Sequence, residues 1–337
     1  MQYKTVLQLF AALLFVLAIA VIGCKKDDET TNPPASGATY PVTATILNPA
    51  GLPQGGATLT LKNPPSNDPK FTGVSDSTGK ATIQAPAGAQ ILVAKIGSVF
   101  LTETPVNVAA SPTGTNVGTI RLQQNTTTTR VLVVKASAEQ LENVLRRIGF
   151  TTFDSTTISA MRDSANADSV RFLNFLKQYT LIFSDCDGST EGGSSYARMS
   201  RTYGRYIQDG GKMYGGHYNY YHLQRIWTSS YSRFDTQNPS GNDTLLIVDT
   251  NLGLYVGFTI IRWNSIDSRG LSGYEKFSDI PTNTKVYGVI KNTSPAVPVI
   301  CENYVGTGKY LWTDYHNQDI INDPQLIKIV QYFLYSL

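Results

Sequence analysis

Along residues 41–123 hydrophobic and polar positions alternate in short runs, without a helical period. Val42, Ala44 and Ile46 alternate with threonines, which predicts a strand with one face in a core. Ala57–Leu61 repeats the pattern, and Asn48-Pro49-Ala50-Gly51 between them reads as a turn. Phe71–Ser75 leads into a tight turn at Asp76-Ser77-Thr78-Gly79, then into Lys80–Ile83. With Ile91–Lys95, Val99–Leu101 and Val117–Leu122, these short strands have the spacing of an all-β sandwich. From Arg130 the period changes. Val131–Val134 is a continuous apolar run, as for a strand covered on both faces. Leu141, Val144, Leu145 and Ile148 then predict a helix. A short strand over Phe150–Phe153 is expected next, followed by a helix over Asp168–Lys177 with Val170, Leu173 and Leu176 inward. Tyr179–Ser184 reads as a strand, and Tyr196, Met199, Tyr203 and Tyr206 share one helical face. Met213–Gly216 is a strand running into His217, and Tyr218–Trp227 a helix. Val297–Glu302 and Tyr310–Thr313 flank Gly306-Thr307-Gly308 as a hairpin. A last helix follows Asn322-Asp323-Pro324, with Leu326, Ile329, Val330, Phe333 and Leu334 on its apolar face. Strands alternating with helices imply a parallel sheet with right-handed crossovers. The expected fold is therefore an N-terminal β-sandwich followed by a flavodoxin-like three-layer α/β domain with a C-terminal β-hairpin.

The first residues have a different pattern. Lys4 precedes an apolar stretch, Leu7–Ile22, broken only by Gln8. It is slightly short for a membrane span and reads as a secretory signal peptide over 1–23. Its end, Val21-Ile22-Gly23-Cys24, resembles the bacterial lipobox. That resemblance implies cleavage before Cys24 and lipidation of its sulfur and new amino group, making the membrane a partner through the anchor. Lys25-Lys26-Asp27-Asp28-Glu29 is similar to the charged tag that some diderm bacteria use to export lipoproteins to the outer face of the outer membrane. The implied address is an outer-membrane lipoprotein at the cell surface, with a periplasm-facing one as the alternative. Residues 24–39 complete a lipidated cysteine and flexible tether rich in Thr, Pro, Ser and Gly.

The sandwich is expected over 40–123 and a polar linker over 124–129. Leu52-Pro53, Gly56-Ala57-Thr58-Leu59 and Ser75–Lys80 resemble the carboxypeptidase-regulatory-like, prealbumin-type sandwich, which implies a spacer. Over 130–337 two stretches carry a second likeness, with an insertion-like region around 229–291. One is Tyr206-Ile207-Gln208-Asp209-Gly210-Gly211-Lys212-Met213-Tyr214-Gly215-Gly216-His217, and the other runs from Gly306 through Trp312 to His316. They resemble the helix, double glycine, strand and elbow, and the late Gly-x-Gly hairpin and histidine, of the class I glutamine-amidotransferase-like superfamily. The nearest branch is the trehalose-utilisation (ThuA-like) one. In glutaminases of this superfamily the resemblance implies a nucleophilic cysteine at the elbow, with backbone N–H groups as oxyanion donors. Here the elbow residue is His217, and His316 is followed by Asn317-Gln318 instead of proline and glutamate. The departure argues against glutamine hydrolysis. The ThuA-like branch also places a histidine at its elbow.

Composition excludes a wholly disordered chain, a collagen or a coiled coil, since 41% of residues are hydrophobic and 16% charged. A net charge of +3, with one cation in the signal, gives no case for nucleic acid as a partner. Functional groups of an open parallel sheet gather at strand carboxyl ends. The candidate pocket is accordingly His217, His316, Asp185, Asp187, Asp314, Tyr214 and Tyr218. The histidines offer acid/base groups or metal ligands, the aspartates partners for a cation or sugar hydroxyls, and the tyrosines flat faces for a sugar. Cys186 and Cys301 are the cysteines left for a disulfide. Catalytic residues, cofactor and metal stay unassigned. The leading expectation is a non-enzymatic lipoprotein that binds a glycan or another envelope partner. An envelope enzyme acting on a sugar through His217 and His316, and a structural interaction module, are the alternatives.

Overall fold

The computed structural model describes residues 37–336 apart from 138, 229, 238–243, 263–273, 278, 291–295 and 315–323. Cys24, the signal and most of the tether lie outside the described residues. Seven strands come first: β1 (Thr39–Leu47), β2 (Thr58–Leu61), β3 (Thr72–Val74), β4 (Lys80–Pro86), β5 (Gly88–Ile96), β6 (Phe100–Val108) and β7 (Thr115–Arg121). They form two sheets, ordered β4-β1-β7 and β3-β2-β5-β6. Alternation decides which side chains turn inward. Val42, Ala44 and Ile46 of β1 join Ala81, Ile83 and Ala85 of β4, and Leu59 and Leu92 of the other sheet, in one buried cluster. Each large aliphatic side chain so buried contributes about 1.5–3 kcal/mol relative to exposure. The turn into β4 forms as read. Asp76 Oδ1 accepts from Thr78 N at 2.8 Å and Lys80 N at 3.1 Å. Gly79 takes φ +81°, where a Cβ would meet Ile46 O at 2.4 Å.

The second set begins with β8 (Val131–Lys135), α1 (Leu141–Ile148), β9 (Asp154–Thr157), α2 (Ile158–Ala167), α3 (Ser169–Leu176) and β10 (Leu181–Ser184). It continues with α4 (Ala197–Gln208), β11 (Lys212–Gly216), α5 (Tyr220–Ile226), β12 (Arg233–Gln237), β13 (Thr244–Ile247) and α6 (Thr250–Val256). It ends with β14 (Ile260–Arg262), β15 (Tyr274–Phe277), β16 (Thr284–Ile290), β17 (Val297–Val305), β18 (Gly308–Thr313) and α7 (Pro324–Ser336). Nine of these strands form a mixed sheet, ordered β14-β13-β16-β17-β18-β11-β10-β8-β9. From β18 to β9 every pairing is parallel. In chain order these five strands read 2-1-3-4-5, a doubly wound order. From β18 outward the pairings turn antiparallel, starting with the β17–β18 hairpin.

Successive residues of the parallel strands face opposite layers. Val131, Val133, Phe183 and Leu311 pack with α1 and α7. Leu132, Val134, Ile182, Met213 and Trp312 pack with α2, α3, α4 and α5. The apolar cluster on the first face is continuous with the core of the small sheets. Phe100 of β6 stands edge-on to Phe150 at 5.1 Å and to Tyr335 of α7 at 5.3 Å.

Four elements differ from the expectation. The strand after α1 lies at Asp154–Thr157, because Gly149 (φ 105°) turns the chain and Phe150 is drawn into the core, its N–H donating to Leu145 O. β9 is the edge strand and mostly polar, so periodicity does not mark it. α2 is a helix where none is expected. Only Ile158, Met161 and Ala165 are buried on it, and Thr157 caps it by accepting from Ala160 N. Val170 is exposed, because Asp168 caps α3 through Val170 N and Arg171 N and turns Phe172, Leu173 and Leu176 inward. The region 229–291 supplies β13, β14 and β16 of the large sheet and so extends the domain's own framework. The polar stretch before β8 is pinned. Gln124 Oε1 accepts from Thr151 N and Thr152 N, and Asn125 N donates to Val99 O.

Candidate functional site

The carboxyl ends of β8, β10, β11 and β18 lie side by side, and Asp185, His217 and Asp314 follow the last three of them. His217 directly follows β11 and takes φ +38°, a left-handed conformation rare outside glycine. Glycines make room for this turn. A Cβ on Gly215 would approach both Asn219 Oδ1 and Tyr310 OH at 2.6 Å. Trp312 Nε1 donates to His217 O at 2.9 Å, tying β18 to the elbow. Asn219 completes the tie: its Nδ2 donates to Asp185 O at 3.1 Å and its Oδ1 accepts from Tyr310 OH at 3.1 Å.

These residues are sealed. His217 is 2% exposed, Asp314 1%, and Asp185 and Tyr214 0%. The Tyr214 hydroxyl bonds Thr313 Oγ1 at 3.0 Å within the core. Tyr218 is half-buried, with its ring 4.2 Å from that of His217 and stacked at 6.1 Å on Tyr221. Asp187 is also half-buried and accepts from Tyr196 OH at 3.0 Å. His316 lies outside the described residues. Six of the seven candidate residues are thus placed, four of them within the core.

Asp185 has a defined structural role. Its Oδ1 accepts from Leu141 N at 3.0 Å, capping α1 from the neighbouring strand, and its Oδ2 accepts from Ala136 N at 3.3 Å. Burial pushes its carboxyl up to about 7, against the pull of those two donors. Two further buried acids were not singled out from the sequence. Glu139 Oε2 accepts from Cys186 N at 2.8 Å, and Glu191 Oε1 from Asp187 N at 2.6 Å. Burial first, and then these two carboxylates, push the Cys186 thiol far up. Cys301 is likewise raised by burial. The two cysteines are separate free thiols, not a disulfide.

The third histidine is buried in a polar chain. Ser200 Oγ and His222 Nδ1 are 2.7 Å apart, and His222 Nε2 stands 3.2 Å from Glu191 Oε2. Serine, histidine and carboxylate are all 0% exposed, and Ser200 Oγ donates to Tyr196 O at 3.0 Å. An acyl-transfer nucleophile must reach its substrate, so this chain braces α4 against α5 instead. The sequence carried only a faint sign of it, because an acid in a polar loop and a serine in a helix are commonplace. Among the described residues no group of three His, Cys, Asp or Glu side chains is arranged to hold a metal.

An open cavity lies elsewhere. A cleft of about 660 Å³ runs between the β1–β2 connection and the helices α1, α6 and α7. Gln54 forms part of its wall and is only 2% exposed, and its Nε2 donates to Tyr255 OH at 3.1 Å. Sequence patterning gave no sign of this cleft, whose walls come from segments remote in the chain.

No family model matches the chain, and no curated protein matches it. Among solved structures the chain is similar to a cytoplasmic protein from Salmonella typhimurium, at 11% identity, 61% of this chain, 97% of that one and a TM-score of 0.40. It is similar to a glutamine amidotransferase from Thermotoga maritima, at 12% identity, 62% and 95% coverage and a TM-score of 0.38. It is also similar to a GH42 β-galactosidase from G. stearothermophilus, at 10% identity, 61% and 29% coverage and a TM-score of 0.36.

Proposed function

We propose that the protein is a cell-surface lipoprotein of the outer membrane, anchored through Cys24, that binds a glycan with a glutamine-amidotransferase-like domain incapable of glutaminase chemistry. The small sheets, in this reading a prealbumin-type sandwich, follow the anchor in the chain and supply one wall of the cleft. The observation that carries the reading is the burial of the elbow: His217 holds it and is 2% exposed. Both described thiols are buried and held protonated, so neither supplies a thiolate. A cleft of about 660 Å³ stays open, within the size range of small-molecule sites.

Thermal unfolding of the full chain against a panel of neutral and acidic oligosaccharides, with product analysis of the same samples, tests this. A saturable rise in Tm without product is the expected result. Cleaved or isomerised sugar, or no shift with any member of the panel, overturns it. Mass spectrometry of the membrane-extracted protein tests the anchor. An acylated chain beginning at Cys24 is expected, and a chain beginning at Met1 contradicts it.

A further inference from the structure

The open cleft carries charge of one sign. Its walls include Arg147 at the end of α1 and Lys328 on α7, and no carboxylate. Among the described residues neither cation has a carboxylate partner. The neighbouring Arg146 is otherwise engaged, bonding Asn143 Oδ1 and lying over the Phe153 ring. Among the described residues Lys328 Nζ donates to Val256 O, at 3.4 Å, the last carbonyl of α6. A helix C-terminus supplies about half a negative charge, so the ends of α1 and α6 offset the two cations only in part. The chain as a whole carries only +3, so the pair is a local feature of a concave wall, where field is concentrated. The rest of the lining is neutral. Gln54 and Gln331 lie buried in its wall, Ser77 is exposed there, and Leu52 and Leu254, 61% and 78% exposed, stand at the cleft as apolar faces.

We propose that this cleft binds an acidic saccharide, a sugar unit bearing a carboxylate. Arg147 and Lys328 take the carboxylate, the exposed Ser77 hydroxyl meets a ring hydroxyl, and the two leucines cover apolar sugar faces. Guanidinium and carboxylate match as a two-pronged pair, and a serine hydroxyl can both donate and accept. The volume suits one or two sugar rings. This inference rests on the reading that the protein binds a glycan. Because the walls come from both the small sheets and the α/β helices, the site exists only where the two are packed together.

Calorimetric titration of the full chain with digalacturonate, and separately with its dimethyl ester, tests the assignment. The ester keeps the sugar body and removes the charge. The acid is expected to bind, the ester about tenfold or more weaker, and affinity for the acid to fall with added salt. The double variant Arg147→Gln, Lys328→Gln changes two exposed side chains and is expected to lose the same factor for the acid. Equal binding of acid and ester, or equal binding by the double variant, overturns the inference. If neutral oligosaccharides bind and digalacturonate does not, the acidic class is wrong and the glycan reading stands. If no oligosaccharide of either kind binds, both fall.

Discussion

Asp185 gives the sharpest prediction. It is fully buried at the end of β10 and pushed up to about 7 from an ordinary value of 3.8. Between those two values the unfolded carboxyl has lost its proton and the folded one keeps it. Unfolding therefore releases a proton, and rising pH favours the unfolded chain across that window. The full interval corresponds to about 4 kcal/mol of stability present below the unfolded value and lost as pH rises to about 7. Between about pH 5 and about pH 8 the loss from this one group is about 2–3 kcal/mol. Asp185→Asn keeps the shape and cannot ionise. It also keeps one acceptor for Leu141 N or Ala136 N and gives up the other, which costs about 1–3 kcal/mol where the donor is left buried. The variant is therefore less stable than the parent at about pH 5, and the gap narrows or reverses by about pH 8. Urea unfolding of both chains at the two pH values measures this, since groups common to both cancel in the difference. A gap that stays constant within about 0.5 kcal/mol would refute a proton held by burial.

Other predictions follow from close packing and from the buried polar chain. Gly308→Ala places a Cβ 2.0 Å from Ile207 O and 2.4 Å from Gly211 O, so the hairpin must shift. Its urea midpoint is expected to fall by the equivalent of about 2–3 kcal/mol, and an unchanged midpoint would contradict the packing. Ser200→Ala strips His222 Nδ1 of its buried partner and should lower stability by about 1–3 kcal/mol while leaving sugar binding unchanged. A lost binding signal in a folded Ser200→Ala chain would show that the network serves a site. Cys186 and Cys301 are expected to resist a thiol-specific chromogenic reagent in the folded chain and to react in denaturant without prior reduction.

Much of the architecture was legible because core strands and amphipathic helices write their periods directly. Val131–Val134, Leu141–Ile148 and the hairpin around Gly306-Thr307-Gly308 are clear cases. The elements that escaped or shifted have weak periods for physical reasons. β9 is an exposed polar edge, α2 buries one narrow stripe, and the Asp168 cap fixes a register that apolar spacing alone misplaced. Asp185, His217 and Asp314 each directly follow a strand of the sheet, at the carboxyl ends where doubly wound topology gathers side chains. Whether such a place is open is another matter. It depends on packing among Trp312, Tyr310, Asn219 and the strand ends they bond, contacts up to 95 residues apart in the chain. Glu191, Ser200 and His222 show the same limit, being three unremarkable positions until folding joins them.

The proposed reading turns on the burial of His217, which is 2% exposed. Histidine footprinting with diethyl pyrocarbonate, read residue by residue by mass spectrometry on the folded chain, tests this directly. The account predicts that His217 and His222 stay unmodified until denaturant unfolds the chain, with or without bound sugar. Rapid modification of His217 in the folded protein, slowed by a saccharide, would contradict it and return the elbow to the centre of the function.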